Sequence, residues 1–308
     1  MSEFNEPILS VKDLKTYIYV NNRCNRAVDG VSFDVLKGKT LGIVGESGCG
    51  KSITASSIMQ LLPDLSRIES GEITYHSANG DIRIDLLERN GRPMRSLRGA
   101  DISMIFQDPM TALNPVYTIG SQIEENLKYH LSTSSKSIKD KTIELLHKMG
   151  IPLAEHRSTE YPHQFSGGMR QRAMIAMAMA CNPKILIADE PTTALDVTIQ
   201  AQIFELMQEL KEEHQTAIIM ITHDMGVIAE LANDVAVMYM GSIVERGTVD
   251  EVLRNPAHPY TKALLQTIPK LGQGKKQKLE PIRGATPDPY MRAKGCQFMP
   301  RCDYASDE

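Results

Sequence analysis

The sequence predicts an α/β fold with a parallel sheet at its core. Four short apolar runs, at 41–44, 102–106, 185–188 and 217–221, have the length and composition of fully buried strands. Between the last two, Ile199, Ile203, Leu206, Met207 and Leu210 recur at the spacing of one helical face. A glycine-rich stretch, Gly45-Glu46-Ser47-Gly48-Cys49-Gly50-Lys51-Ser52, joins a strand at 40–44 to a helix expected over 53–62.

The remaining elements fall around this core in chain order. Residues 8–37 and 72–86 alternate and are rich in β-branched side chains, as an antiparallel sheet requires. A helical insertion is expected over about 115–175. Its helices lie mainly between 115 and 165, with Ile138, Leu145, Leu146 and Met149 on one face and Gly150 as a stop. An apolar helix follows at 173–181. Beyond Pro269 the composition shifts to a Gly/Lys/Gln linker at 270–278 and then to a Pro-rich, aperiodic tail. The expected division is a domain over 1–268 and a small irregular extension over 269–308.

Composition narrows the function. A hydrophobic content of 42% and a charged content of 23% are those of an ordinary globular protein. A net charge of −4 gives no electrostatic reason for a nucleic-acid partner. The acidic start Met1-Ser2-Glu3-Phe4-Asn5-Glu6 does not read as a signal peptide, and the longest apolar run, 173–181, is too short to cross a bilayer. Five scattered cysteines suggest a reducing compartment.

The glycine-rich stretch has the form of a phosphate-binding P-loop. Its backbone N–H groups turn inward around a phosphate, Lys51 supplies a point charge, and the Ser52 hydroxyl can ligate Mg²⁺. The strand 185–188 ends in Asp189-Glu190, which suits metal binding by Asp189 and general-base work by Glu190. Acids also end strands simply where a chain meets solvent. Phe165-Ser166-Gly167-Gly168-Met169-Arg170-Gln171-Arg172 puts Ser-Gly-Gly at a helix start, a second anion-binding N-terminus. Ser166 would serve equally as a plain N-cap. Cys49 sits beside Lys51 at the start of a helix, which favours the thiolate and predicts a reactive thiol.

With these motifs the chain resembles the ATP-binding cassette ATPases over nearly its full length. The resemblance implies a P-loop NTPase (RecA-like) core with an antiparallel β-subdomain and an inserted helical subdomain. It implies ATP and Mg²⁺, the nucleotide held by Gly45, Glu46, Ser47, Gly48, Cys49, Gly50, Lys51 and Ser52. Gln107 looks like the Q-loop glutamine, which contacts the metal and the attacking water; Ser52, Gln107 and Asp189 then form the Mg²⁺ set, Asp189 directly or through water. Pro191-Thr192-Thr193-Ala194-Leu195-Asp196 resembles the D-loop, and His223 in Thr222-His223-Asp224 the switch histidine. Ser166, Gly167, Gly168 and Met169 resemble the signature, although Met169 replaces the usual glutamine and cannot supply its hydrogen bond. Tyr17 and Tyr19 flank Ile18 where the adenine-stacking aromatic belongs, and Tyr19 is the one chosen.

Finer resemblance points to a branch of the family. Phe106-Gln107-Asp108-Pro109-Met110-Thr111-Ala112-Leu113-Asn114-Pro115 and Asn255-Pro256-Ala257-His258-Pro259-Tyr260-Thr261 look like the ATPase subunits of oligopeptide, dipeptide and nickel importers. The implied partners are two transmembrane permeases, a second and related ATPase subunit, and indirectly an extracytoplasmic solute-binding protein. The implied place is the cytoplasmic face of the cell membrane. The tail Gly295-Cys296-Gln297-Phe298-Met299-Pro300-Arg301-Cys302 resembles the start of a four-cysteine [4Fe–4S] motif. Only Cys296 and Cys302 are present, so either the chain is truncated or the cluster is absent. Soluble relatives in DNA repair carry long coiled coils or zinc insertions after the P-loop, and ribosome-associated ones carry two cassettes. Neither feature is found in this sequence.

Overall fold

A computed structural model describes residues 6–192, 195–267 and 282–306. These fall into two compact units. One is built from Leu87–Ile219 with Glu6 and Leu36–Lys39, the other from Pro7–Val35, Thr40–Leu86 and the described residues from Met220 onward.

In the second unit, β1 (Pro7–Val20) and β2 (Arg23–Leu36) form a hairpin. Its tip, Asn21-Asn22, has φ of 48° and 59°, the left-handed pair of a type I′ turn, which asparagine tolerates. β3 (Thr40–Val44) is buried at every residue and leads into the P-loop and α1 (Lys51–Ile58). α1 starts earlier and stops sooner than 53–62, because Gln60 turns left-handed at φ 51°. β4 (Ser66–Ser77) and β5 (Gly80–Arg83) complete an antiparallel sheet in the order β2-β1-β4-β5. Leu9, Val11, Leu14, Ile73 and Tyr75 bury one face of it.

The first unit holds α2 (Arg92–Leu97), β6 (Ile102–Ile105), α3 (Pro109–Ala112), α4 (Ile119–His130), α5 (Ser135–Lys148), α6 (Ala154–Arg157), α7 (Gly167–Met179), β7 (Ile185–Asp189) and α8 (Val197–His214). β6 and β7 run parallel, with Ile102 opposite Ile185 and Ile105 opposite Ala188. Thr118, Ser134, Ser166 and Asp196 cap α4, α5, α7 and α8 with side-chain oxygens, satisfying N–H groups that the helix cannot. α4 to α6 lie within the expected helical insertion. α7 begins at Gly167, at the helix start read from Ser166-Gly167-Gly168, runs on through the expected apolar stretch from 173, and buries Ala173, Met174, Ile175, Ala176 and Met179.

β8 (Ala217–Thr222), buried throughout, starts in the first unit and ends in the second. After it come α9 (Met225–Leu231), β9 (Asp234–Tyr239), β10 (Ser242–Thr248), α10 (Val249–Arg254) and α11 (Pro259–Gln266). β9 pairs parallel to β3, with Leu41 opposite Asp234, and antiparallel to β10. The β9–β10 hairpin turns at Met240 and Gly241, both with positive φ. Residues 282–306 contain a single 3₁₀ turn, Met299–Arg301, and belong with the second unit. The expected linker at 270–278 and the expected boundary at 268/269 lie outside the described residues. Among the described residues, no helix is long and apolar enough to cross a membrane.

Candidate functional site

β3 ends where the P-loop begins, and the loop's backbone runs against the β9–β10 hairpin. A Cβ at Gly45 (φ 156°) would lie 2.1 Å from the Met238 carbonyl oxygen. One at Gly50 (φ 109°) would lie 2.1 Å from the Ala27 carbonyl oxygen. Backbone on both sides leaves no room for a side chain. The hairpin tip holds the loop directly, as Gly241 N–H donates to the Cys49 carbonyl at 2.8 Å. Gly50 is the N-cap of α1, so the helix's unpaired N–H groups and positive dipole end meet the loop.

Lys51 is buried, and its ammonium folds over the loop. Nζ donates to the Gly45 carbonyl at 2.7 Å and to the Glu46 carbonyl at 3.1 Å. Ser52 is exposed in the first turn of α1. A buried cation, a helix N-terminus and crowded glycines fit a bound phosphate chain.

Cys49 departs from expectation. It is only 5% exposed, and burial raises its thiol above the ordinary value. Lys51 pulls the other way, with Nζ 3.9 Å from Sγ, but does not offset the desolvation. The expected reactive thiolate is therefore a buried, protonated thiol.

Glu46 is held from two sides. Its N–H donates to the Tyr260 hydroxyl at 2.9 Å, and its carboxylate pairs with both terminal nitrogens of Arg301 at 2.7 and 3.0 Å. Sequence reasoning placed neither Tyr260 nor Arg301 at the loop. Both lay in stretches read only as marks of subfamily.

Within the first unit, Asp189 is buried at the end of β7, and Glu190 follows with φ 46°. A left-handed glutamate is sparsely populated, and such strain clusters at functional positions. Gln107, two residues past β6, donates from Nε2 to the Glu190 carboxylate at 3.0 Å. Two of the predicted catalytic side chains thus meet directly. Phe106, expected in the strand, lies beyond it and is 39% exposed.

Ser166 is the N-cap of α7, accepting from Met169 N–H at 3.3 Å, and remains exposed. Among the described residues, a Cβ on Gly167 would meet only Leu195 Cδ2, at 4.0 Å, while one on Gly168 would lie 3.3 Å from Ile199 Cγ2. Asp196 caps α8 through Ile199 N–H at 3.0 Å. Thr193 and Ala194 of the D-loop stretch lie outside the described residues. Its first residues are tied down, as the Gln171 amide donates to the Pro191 carbonyl and the Gln200 amide to the Thr192 carbonyl at 3.1 Å.

In the second unit, His223 is exposed in the turn after β8, where Asp224 N–H donates to Thr222 Oγ1 at 3.0 Å. The Tyr19 hydroxyl donates to Glu69, and the Arg67 guanidinium covers its ring at 4.6 Å. Tyr19 also lines a cavity of about 420 Å³ with Tyr17, Arg26, Tyr290 and Arg292. Burial and a bond to Asp29 push the Tyr17 hydroxyl up to about 12. Cys296 is exposed and Cys302 half-buried. Among the described residues, no group of three or more His, Cys, Asp or Glu could hold a metal ion.

Residues 28–193 match the family described as ABC transporter. The chain belongs to that family. Residues 244–308 match a second family, described as oligopeptide/dipeptide transporter, C-terminal region. The chain is 49% identical to the dipeptide transport ATP-binding protein DppD of Haemophilus influenzae, over 97% of this chain and 89% of that protein. It is 49% identical to the oligopeptide transport ATP-binding protein AppD of Bacillus subtilis, over 98% of this chain and 90% of that protein. Among solved structures it is similar to the ATP-binding cassette MJ0796, a dimer in a post-hydrolysis state bound to ADP and Pi. That similarity has a TM-score of 0.68 and 26% identity, over 78% of this chain and 98% of that one. As an ABC family member the chain is an ATP-binding ATPase.

Burial of Cys49 predicts the order of thiol reactivity. With a maleimide at neutral pH, exposed Cys24 and Cys296 should be labelled first, and Cys49 at least about tenfold more slowly, because the thiolate is the nucleophile. Peptide mass spectrometry of time points reads the order. Labelling of Cys49 as fast as Cys24 would contradict its burial.

Proposed function

We propose that the chain is the ATP-hydrolysing motor subunit of an importer for oligopeptides or dipeptides. The match of residues 244–308 to the oligopeptide/dipeptide transporter region, on top of the cassette match, carries this reading. Nickel chelates, glutathione or other small solutes are the alternative cargo in the same branch.

The P-loop backbone and Lys51 bind the phosphates of ATP. Ser52, Asp189 and Gln107 are the side chains that would hold Mg²⁺, which supplies charge neutralisation to the phosphates when bound. Glu190 accepts the proton of the attacking water, and Gln107, in hydrogen-bond contact with it, fixes its carboxylate. His223 contacts the terminal phosphate. Ser166, Gly167, Gly168 and Met169, with Asp196, act on the nucleotide of a second cassette. The exposed Ser166 and the unfilled space at Gly167 support that role. Tyr19 stacks on the base.

Two permeases and a second, related ATPase subunit are the proposed partners, with the chain at the cytoplasmic face of the membrane. Exposed Phe106, Met110, Val116 and Tyr117 form an apolar stretch beside Gln107 that suits docking on a permease. Expressed with its neighbouring transport genes, the chain should copurify from membranes with two permeases and support ATP-dependent uptake of a labelled dipeptide. Uptake of a nickel chelate without dipeptide uptake would move the cargo to the alternative.

Glu190→Gln should keep ATP binding and cut turnover by about 10²- to 10⁴-fold, the range for loss of a general base. Single-turnover hydrolysis beside equilibrium binding separates the two effects, and unchanged turnover would remove Glu190 from the chemistry. Ser166→Asp tests the opposite face. Aspartate caps a helix as well as serine does, so α7 should stay folded, but its charge opposes a phosphate. ATPase activity of the assembled transporter should fall by about tenfold or more while the isolated chain binds ATP normally. Full activity would leave Ser166 as a cap alone.

A further inference from the structure

The C-terminal segment reaches the P-loop through one side chain. Arg301, its side chain 5% exposed, sits in the 3₁₀ turn that ends the described fold. Each guanidinium nitrogen has an acceptor. Nη1 and Nη2 take the two Glu46 carboxylate oxygens, and Nε donates to the Arg283 carbonyl at 2.8 Å. Nη1 also lies 3.4 Å from the Tyr239 hydroxyl and Nη2 3.5 Å from the Gly284 carbonyl. Phe298, buried against Tyr239 and Tyr260, packs the same corner, with the guanidinium 6.0 Å from its ring. The bonds to Glu46 hold the Arg301 charge even more firmly than usual.

The partner of this cation is a carboxylate in the second position of a loop built to receive a polyanion. A bare carboxylate there repels phosphate, more strongly as the phosphate chain carries more charge. A fork-to-fork guanidinium pair cancels that charge and fixes the residue's geometry together. Nothing in the loop itself does this, since the Lys51 ammonium is bonded to the Glu46 carbonyl and not to its carboxylate.

We propose that Arg301 is a positioning residue of the P-loop: by pairing with Glu46 it neutralises the loop's own carboxylate, so that docking of the C-terminal segment sets the affinity for nucleoside triphosphate. This rests on the P-loop being the nucleotide site.

The test is equilibrium binding of ATP and of ADP to the full chain, by calorimetry in EDTA, for Arg301→Gln, Glu46→Gln, the double variant and Arg301→Lys. Arg301→Gln should weaken ATP by about tenfold and ADP by clearly less, because the unmasked carboxylate acts on charge. Glu46→Gln should shift the ATP-to-ADP affinity ratio the opposite way, and the double variant should return both affinities to within about twofold of the parent. Arg301→Lys keeps the charge and should keep the ratio, with affinity lowered by loss of the fork. The proposal is overturned if Arg301→Gln binds both nucleotides as the parent does. It is also overturned if the variants lose ATP and ADP equally and the double variant does not recover, which is what a purely structural role predicts. Should Arg301→Gln fail to fold, as thermal melting would show, the ratio in Glu46→Gln and Arg301→Lys decides the same point. If the parent chain bound neither nucleotide, the reading of the P-loop itself would fail instead.

Discussion

The constraint on which the second unit depends is the contact of P-loop backbone with backbone on either side. Gly45 lies against the Met238 carbonyl of β9 and Gly50 against the Ala27 carbonyl of β2. Those contacts tie the loop to two hairpins at once. The Gly241 N–H bonded to the Cys49 carbonyl, and the Asp29 N–H bonded to the Gly241 carbonyl, close the circuit. A loop held this way presents its N–H groups without reorganising, which is what electrostatic preorganisation requires. Small changes outside the loop, in β2 or in the β9–β10 turn, are therefore changes to the loop.

Charge is arranged to match. The buried Lys51 ammonium is satisfied by two loop carbonyls, and the Glu46 carboxylate by Arg301. Removing Arg301 would leave the part-buried Glu46 carboxylate without this counter-charge, which is destabilising. Burial keeps the hydroxyl of Tyr260, which accepts the Glu46 N–H, well above its ordinary range, so it stays neutral. The C-terminal elements α11 and 282–306 are thus part of the loop's support and not an appendage to it.

What could be read in the sequence was what is local. β3, β6, β7 and β8 are continuous apolar runs, and the P-loop is contiguous, so each announced itself. The β9–β10 hairpin did not. Its turn puts Met240 at φ 47° where Asn-Gly would have been the recognisable signal, and tertiary packing overrides the local preference. The start of α7 was legible as well, because Ser166's cap supplies what the low helix propensity of Gly167 and Gly168 lacks. Cys49 was misjudged: the helix N-terminus and Lys51 are visible in the sequence, but burial is not, and burial won. Arg301 and Tyr260 act across more than two hundred residues, a distance no periodicity spans.

The glycines separate two kinds of requirement. Gly45 and Gly50 are demanded from inside the chain, because a Cβ would strike its own backbone at 2.1 Å. Gly167 is not by any described residue, since among these its neighbourhood is open out to 4.0 Å. Its φ is not in the left-handed region either, so conformation gives no reason for glycine. A helix start gains stability from almost any residue with more propensity than glycine, by about 1 kcal/mol for alanine in a helix interior and less at the first turn. Gly167, after an exposed serine, therefore forgoes stability without a return among the described residues, whereas Gly168 is crowded by Ile199 Cγ2, 3.3 Å from where its Cβ would lie. The proposed second cassette supplies the return, because a phosphate approaching α7 end-on needs bare backbone N–H groups and no Cβ in the way. A phosphate loop shaped by its own packing and a helix end whose first glycine the described residues leave open both fit the proposed pairing of two cassettes.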